Sequence, residues 1–168
     1  RSANRETFLN YIEHWYRAPR MVAGVGGVLG NDLIPMLEDL LGDIHDEPTE
    51  DPPAVNWEQS GNQVRVHYKD SDQAHLRFGV HSYPIQHSDR YSLGLLGTVL
   101  GGGMSSRLFT EVRERRGLAY YIFGTNHGYT DTGTLFAQSG VDITRIDEAI
   151  TTIRDEFKRI ADDPVGDE

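Results

Sequence analysis

The chain contains no cysteine among its 168 residues. That absence removes disulfide frameworks, cysteine-based zinc knuckles and cysteine nucleophiles together, and it leaves no redox signature from which a compartment could be read. Positive charge is also scarce: 16 Lys plus Arg stand against 26 Asp plus Glu, a formal net charge of −10. Gripping nucleic acid requires clustered cations that displace counterions from phosphates, so nucleic acid is not expected as a partner. No apolar run approaches the roughly 18 residues of a membrane span, and residues 1–8 carry no signal-peptide core, so the sequence reads as soluble, without a membrane partner. What is present is 38% hydrophobic and 10% aromatic. A chain of this length buries about 70% of its unfolded surface, which is enough for one domain or two small subdomains. The start without Met and the turn-like residues 162–168 read as those of a fragment of a longer protein.

Periodicity supplies the elements. Phe8, Leu9, Ile12, Trp15 and Tyr16 share a helical face with Asn4 as N-cap, and residues 21–28 read as a buried strand. Asn31 or Asp32 then caps a helix that tolerates Pro35 in its first turn, presents Leu33, Leu37, Leu40 and Leu41, and stops at Gly42. Residues 43–60 hold six acids and three prolines and form a long loop. Residues 63–68 and 74–80 alternate with period two around a turn, predicting a hairpin in which Val66 meets Leu76, Val64 meets Phe78 and His67 meets His75. A helix from Ser88 presents Tyr91, Leu95, Leu96, Val99 and Leu100 and breaks at Gly101. Ser105 or Ser106 opens a short helix that ends at Gly117 as C′. Two strands, 118–125 and 134–141, flank a turn at 128–133. A last amphipathic helix carries Ile146, Ala149, Ile150, Ile153, Phe157 and Ile160 behind a capping box at Thr144 and Asp147. The order α β α β β α α β β α predicts an α+β fold, a largely antiparallel sheet covered on one face by helices.

Four groups are candidates for chemistry. The run Gly101, Gly102, Gly103 followed by Met104 and Arg107 lacks the Gly-Lys-Ser/Thr of a phosphate-binding Walker loop; it reads as a break between helices or as a loop that touches a ligand through bare backbone. His67 and His75 could face each other on the hairpin, yet zinc needs three or four protein ligands and spacing fixes no third. Asn10-Tyr-Ile-Glu13-His14 stands one residue from His-x-x-Glu-His, with Asn a poor zinc ligand. Arg113 and Tyr120 are seven residues apart, one on a helix end and one on the next strand. They can converge on a single ligand, Arg on a carbonyl or carboxylate and the Tyr hydroxyl on a developing oxyanion.

The stretch Leu100-Gly-Gly-Gly-Met-Ser-Ser-Arg-Leu-Phe-Thr-Glu-Val-Arg-Glu-Arg-Arg-Gly-Leu-Ala-Tyr120 resembles the second-domain signature of the insulinase/pitrilysin family of zinc metallopeptidases, to which mitochondrial processing peptidase and its bacterial relatives belong. Residues 8–27 and Gln73-Ala-His-Leu76 resemble its flanks, so the likeness covers nearly the whole chain as a single C-terminal-type domain, 1–168. The resemblance implies a zinc-dependent metalloendopeptidase parent, with zinc on an N-terminal domain carrying His-x-x-Glu-His, a motif this sequence lacks. It therefore implies no cofactor on this chain, and a partner domain that holds the peptide substrate through Arg113 and Tyr120 and handles it with the loop Gly101, Gly102, Gly103, shorter here than in the processing-peptidase subunit. It implies no catalysis by this chain alone. The expected partner is the zinc-bearing domain of the same polypeptide or of a dimer partner; the expected compartment is bacterial cytoplasm, with mitochondrial matrix as the other. The alternative from the same family is a non-catalytic scaffold subunit like those at the core of respiratory complexes.

Overall fold

The computed structural model describes residues 3–48, 50–58, 61–66 and 72–163. Its contacts divide the chain into two compact units, residues 1–53 and 54–168.

The first unit is built from helices α1 (Arg5–Trp15) and α2 (Leu33–Leu41), joined through a 3-10 turn at Ala18–Arg20. Asn4 caps α1 in a capping box, its side chain accepting from the Thr7 amide while the Thr7 hydroxyl accepts from the Asn4 amide. The Ala18 amide donates to the His45 carbonyl at 2.9 Å, and Arg20 ion-pairs with Asp51 at 3.3 Å. Asp32 stands at the N-terminus of α2 without a capping side-chain bond, and Gly42 ends the helix. No residue of α1 or α2 is buried.

The strand expected over residues 21–28 does not form. A strand needs a partner for its amides and carbonyls, and this segment is interrupted by Gly24, Gly26 and Gly27, the last at φ 138°.

The second unit is a three-stranded antiparallel sheet with helices on one face. Its strands are β1 (Ala74–Ser82), β2 (Ala119–Gly128) and β3 (Gly133–Val141), in spatial order β1-β3-β2. Its helices are α3 (Arg90–Gly101), a π-helix at Phe109–Arg115, and α4 (Ile146–Asp162). The expected α+β class with an antiparallel sheet is what the structure has. The hairpin expected for residues 63–68 with β1 is not: residues 63–66 form no strand, His67 and Tyr68 lie outside the described residues, and β1 pairs with β3 from Ala74↔Val141 to Ser82↔Gly133. That register lines up Leu76 with Ser139 and Phe78 with Ala137 beneath the helices.

The core lies between that sheet face and the helices. Leu100, Leu108, Leu118 and Ile153 are fully buried there, each contributing about 1.5–3 kcal/mol. Helix α3 turns Gly97, Leu100 and Gly101 inward, whereas the expected Tyr91 and Leu95 are exposed. The cap ahead of α4 is Asp142 rather than Thr144. Its carboxylate accepts from the Thr144 amide at 2.8 Å and the Thr144 hydroxyl at 2.7 Å, and a 3-10 turn, Ile143–Arg145, precedes α4.

Candidate functional site

The segment linking the π-helix to β2 carries Arg113 and Tyr120. The Gly117 amide donates to the Arg113 carbonyl at 3.1 Å, and the Leu118 amide donates to the Val112 carbonyl at 2.8 Å. Gly117 takes φ 58°, the left-handed value that lets the chain leave the helix. Arg145 closes the same end from outside, its Nη1 donating to the Arg116 carbonyl at 3.2 Å and the Gly117 carbonyl at 3.4 Å. These bonds tie the helix end to the strand start.

Arg113 is exposed, with its guanidinium carbon 5.0 Å from the centre of the Phe109 ring. Tyr120 sits in a β-bulge: Ala119 pairs with Val141 and Tyr121 with the next residue, Gly140, so Tyr120 has no partner on β3 and is 61% exposed. Bulges of this kind re-aim a side chain. A guanidinium and a phenol at the two ends of a segment fixed by backbone hydrogen bonds can orient a carbonyl and donate to an oxyanion.

The three glycines have three different surroundings. Gly101 is buried, and a Cβ there would lie 2.1 Å from the Gly124 nitrogen. Gly102 is the C-cap of α3, its amide donating to the Thr98 carbonyl at 2.9 Å. Gly103 is exposed with nothing within 4 Å of its Cβ position.

Among the described residues His75 meets no second imidazole; His67, its expected partner, lies outside them. The His75 Nδ1 is 3.1 Å from the Tyr121 hydroxyl, across Gly140. Among the described residues no group of three or more His, Asp or Glu is gathered to hold a metal ion. No helix among the described residues is long and apolar enough to cross a membrane.

Sequence reasoning passed over the opposite face of the sheet. There the Arg77 guanidinium carbon lies 3.5 Å from the centre of the Phe136 ring, the Trp57 and His81 ring centres are 3.6 Å apart with their planes tilted by 46°, and the His81 Nε2 is 3.2 Å from the Thr132 hydroxyl. The period-two alternation of β1 is the signal that could have found it, since His75, Arg77, Gly79 and His81 share that face.

The profile of a family described as "Peptidase M16 inactive domain" matches residues 2–168. A Bacillus subtilis protein described as the uncharacterized zinc protease YmxG is 29% identical over 164 residues, 98% of this chain and 40% of that protein. A Streptomyces coelicolor protein, also described as an uncharacterized zinc protease, is 29% identical over 94% of this chain and 36% of its own length. The chain thus spans well under half the length of these relatives. Among solved structures, a protease from Helicobacter pylori superposes over 99% of this chain and 42% of its own with a TM-score of 0.76 at 18% identity. A peptidase M16 inactive domain from Pseudomonas fluorescens covers 56% of this chain and 24% of its own with a TM-score of 0.53 at 24% identity. At those identities the likeness is one of fold.

Proposed function

The chain belongs to the peptidase M16 inactive domain family, and on that premise we propose that it is the substrate-holding, oxyanion-stabilising partner domain of a zinc metalloendopeptidase. The zinc-bearing domain belongs to the same polypeptide or to a dimer partner, and the substrate is a peptide enclosed between the two. The observation that carries this reading is the bulge that frees Tyr120 from the strand ladder, beside the hydrogen-bonded turn that leads back to Arg113. Arg113 orients a peptide carbonyl, and the Tyr120 hydroxyl donates to the oxygen that gains charge as the carbonyl carbon becomes tetrahedral. Gly103, open and bare, is the member of the glycine run that supports backbone contact with substrate. Zinc and the general base are supplied from outside these residues.

The test is Tyr120→Phe in the full-length protein. A donor that acts chiefly in the transition state is worth roughly 10²- to 10³-fold in kcat, about 2.7–4 kcal/mol, so kcat falls more than KM rises. An unchanged kcat refutes the role.

A further inference from the structure

The sheet face turned away from the helices has a charge unlike that of the rest of the chain. In a sequence of net charge −10, none of the three strands contains Asp or Glu, and that face carries Arg77, His75, His81 and His127. Arg20, Arg115, Arg145 and Arg154 each have a carboxylate partner. Arg77 has neither ion pair nor hydrogen bond among the described residues; it rests on the Phe136 ring. A guanidinium laid on an aromatic face is desolvated on one side and keeps its N–H edge available.

A groove of about 480 Å³ opens beside it, walled by Trp57, Arg77, His81, Tyr129 and Phe136, with Gly79 as a bare stretch of backbone. A Cβ on Gly79 would come within 2.9 Å of the Phe136 Cβ. Arg77, Gly79 and His81 follow one another along β1 at roughly 6.7 Å, the distance between alternate side chains of an extended chain. Among the described residues no carboxylate lines the groove; Asp131, in the turn that follows Tyr129, accepts from the Val55 amide at 2.9 Å.

We propose that this face is a subsite for an extended peptide segment bearing carboxylate side chains, with a Glu or Asp seated on Arg77 and an apolar or aromatic neighbour packed against Trp57 and Tyr129. The inference rests on the peptide-handling role proposed above and deepens it by naming the substrate class. Charge complementarity carries it: a planar fork of donors with no internal acceptor suits a carboxylate bidentately, whereas a basic segment would place like charge on Arg77.

The test uses the full-length protein and three short labelled peptides of one apolar sequence carrying two Glu, two Gln or two Lys, followed by fluorescence anisotropy at low and high salt. The Glu peptide is expected to bind about tenfold tighter than the Gln peptide, the Lys peptide weakest, and the preference is expected to shrink as salt rises. Arg77→Gln should erase the preference and Arg77→Lys should keep part of it, which separates loss of charge from loss of fold. Equal binding of the three peptides, tighter binding of the Lys peptide, or a preference that survives Arg77→Gln overturns the proposal. Hydrolysis of the Gln peptide reads out the Tyr120 role without involving charge, so failure of the catalytic reading and failure of the specificity reading give different results.

Discussion

Gly101→Ala tests what the glycine run is for. The added Cβ would lie 2.1 Å from the Gly124 nitrogen, 2.5 Å from the Gly124 Cα and 3.0 Å from the Phe123 carbonyl carbon. These are backbone atoms, so no rotamer change relieves the contact. Reaching an ordinary separation of roughly 3.5 Å forces α3 and β2 apart by more than about 1 Å. Overpacking of this kind costs about 1–3 kcal/mol and occasionally more. Against it stands the helix-propensity gain of Ala over Gly, about 0.8–1.0 kcal/mol. A backbone-to-backbone collision belongs at or above the upper end of the overpacking range, leaving a net loss of about 2 kcal/mol. At about 2–4 °C per kcal/mol for a chain of this size, the midpoint falls by roughly 4–8 °C. Gly103→Ala is the control: with nothing within 4 Å of its Cβ position, its effect should stay within about 0.5 kcal/mol. Thermal and urea unfolding of both variants provides the comparison. If Gly101→Ala is as stable as the parent sequence, or Gly103→Ala is the more damaged of the two, the assignment of Gly101 to helix–sheet packing is wrong.

Two further expectations concern the core and the α4 cap. Ile153 is fully buried in the core, so Ile153→Ala should lower the urea-unfolding free energy by about 2–5 kcal/mol and Ile153→Val by about 0.5–1.5 kcal/mol; equal effects would mean that the site collapses around either residue. The Asp142 carboxyl is held below the usual aspartate range by hydrogen bonds from the Thr144 hydroxyl and amide, with Arg145 adding attraction. A depressed folded-state value means that its stabilisation is present above the unfolded value and is lost as pH falls through the folded one. A carboxyl-carbon NMR titration should place Asp142 below an unfolded-peptide reference, and a midpoint at or above that reference would contradict the cap.

The elements legible in the sequence are those whose burial shows in local periodicity. Ala149 and Ile153 mark the buried side of α4, and β2 and β3 flank the turn at residues 129–132. What local pattern cannot carry is the choice of partner. Val64 and Val66 alternate as well as Leu76 and Phe78 do, yet residues 63–66 form no strand, whereas β1 pairs with a strand more than fifty residues away and its Leu76 and Phe78 pack under the helices. The π-helix was hidden for a similar reason: Leu108, Phe109 and Val112 fit an α-helical face, and only the contacts of the folded chain reveal the wider turn. Gly101 and Gly103 are the same letter in the sequence, and their neighbours in space set them apart.

Tyr120 was found in the sequence by its motif, and the reason it stands free is a conflict of periods. From Leu118 to Ile122 the chain must bury Ala119 and Ile122 on the same face of a strand, three residues apart. A regular strand returns to one face every two residues, so Ala119 inward would bring Tyr121 inward and turn Ile122 out. The bulge resolves the mismatch by giving β2 one residue more than β3 at this point: Ala119 stays opposite Val141, Tyr121 moves onto the open face opposite Gly140, and Ile122 returns to the core opposite Ser139. Gly140 has no side chain, which lets the Tyr121 ring lie across it toward His75; a Cβ there would meet that ring at 2.5 Å. Tyr120 is the residue left over. Its freedom from the ladder therefore follows from burying Ile122 and covering Gly140, two packing demands that together present one phenol on a rigid strand instead of a flexible loop.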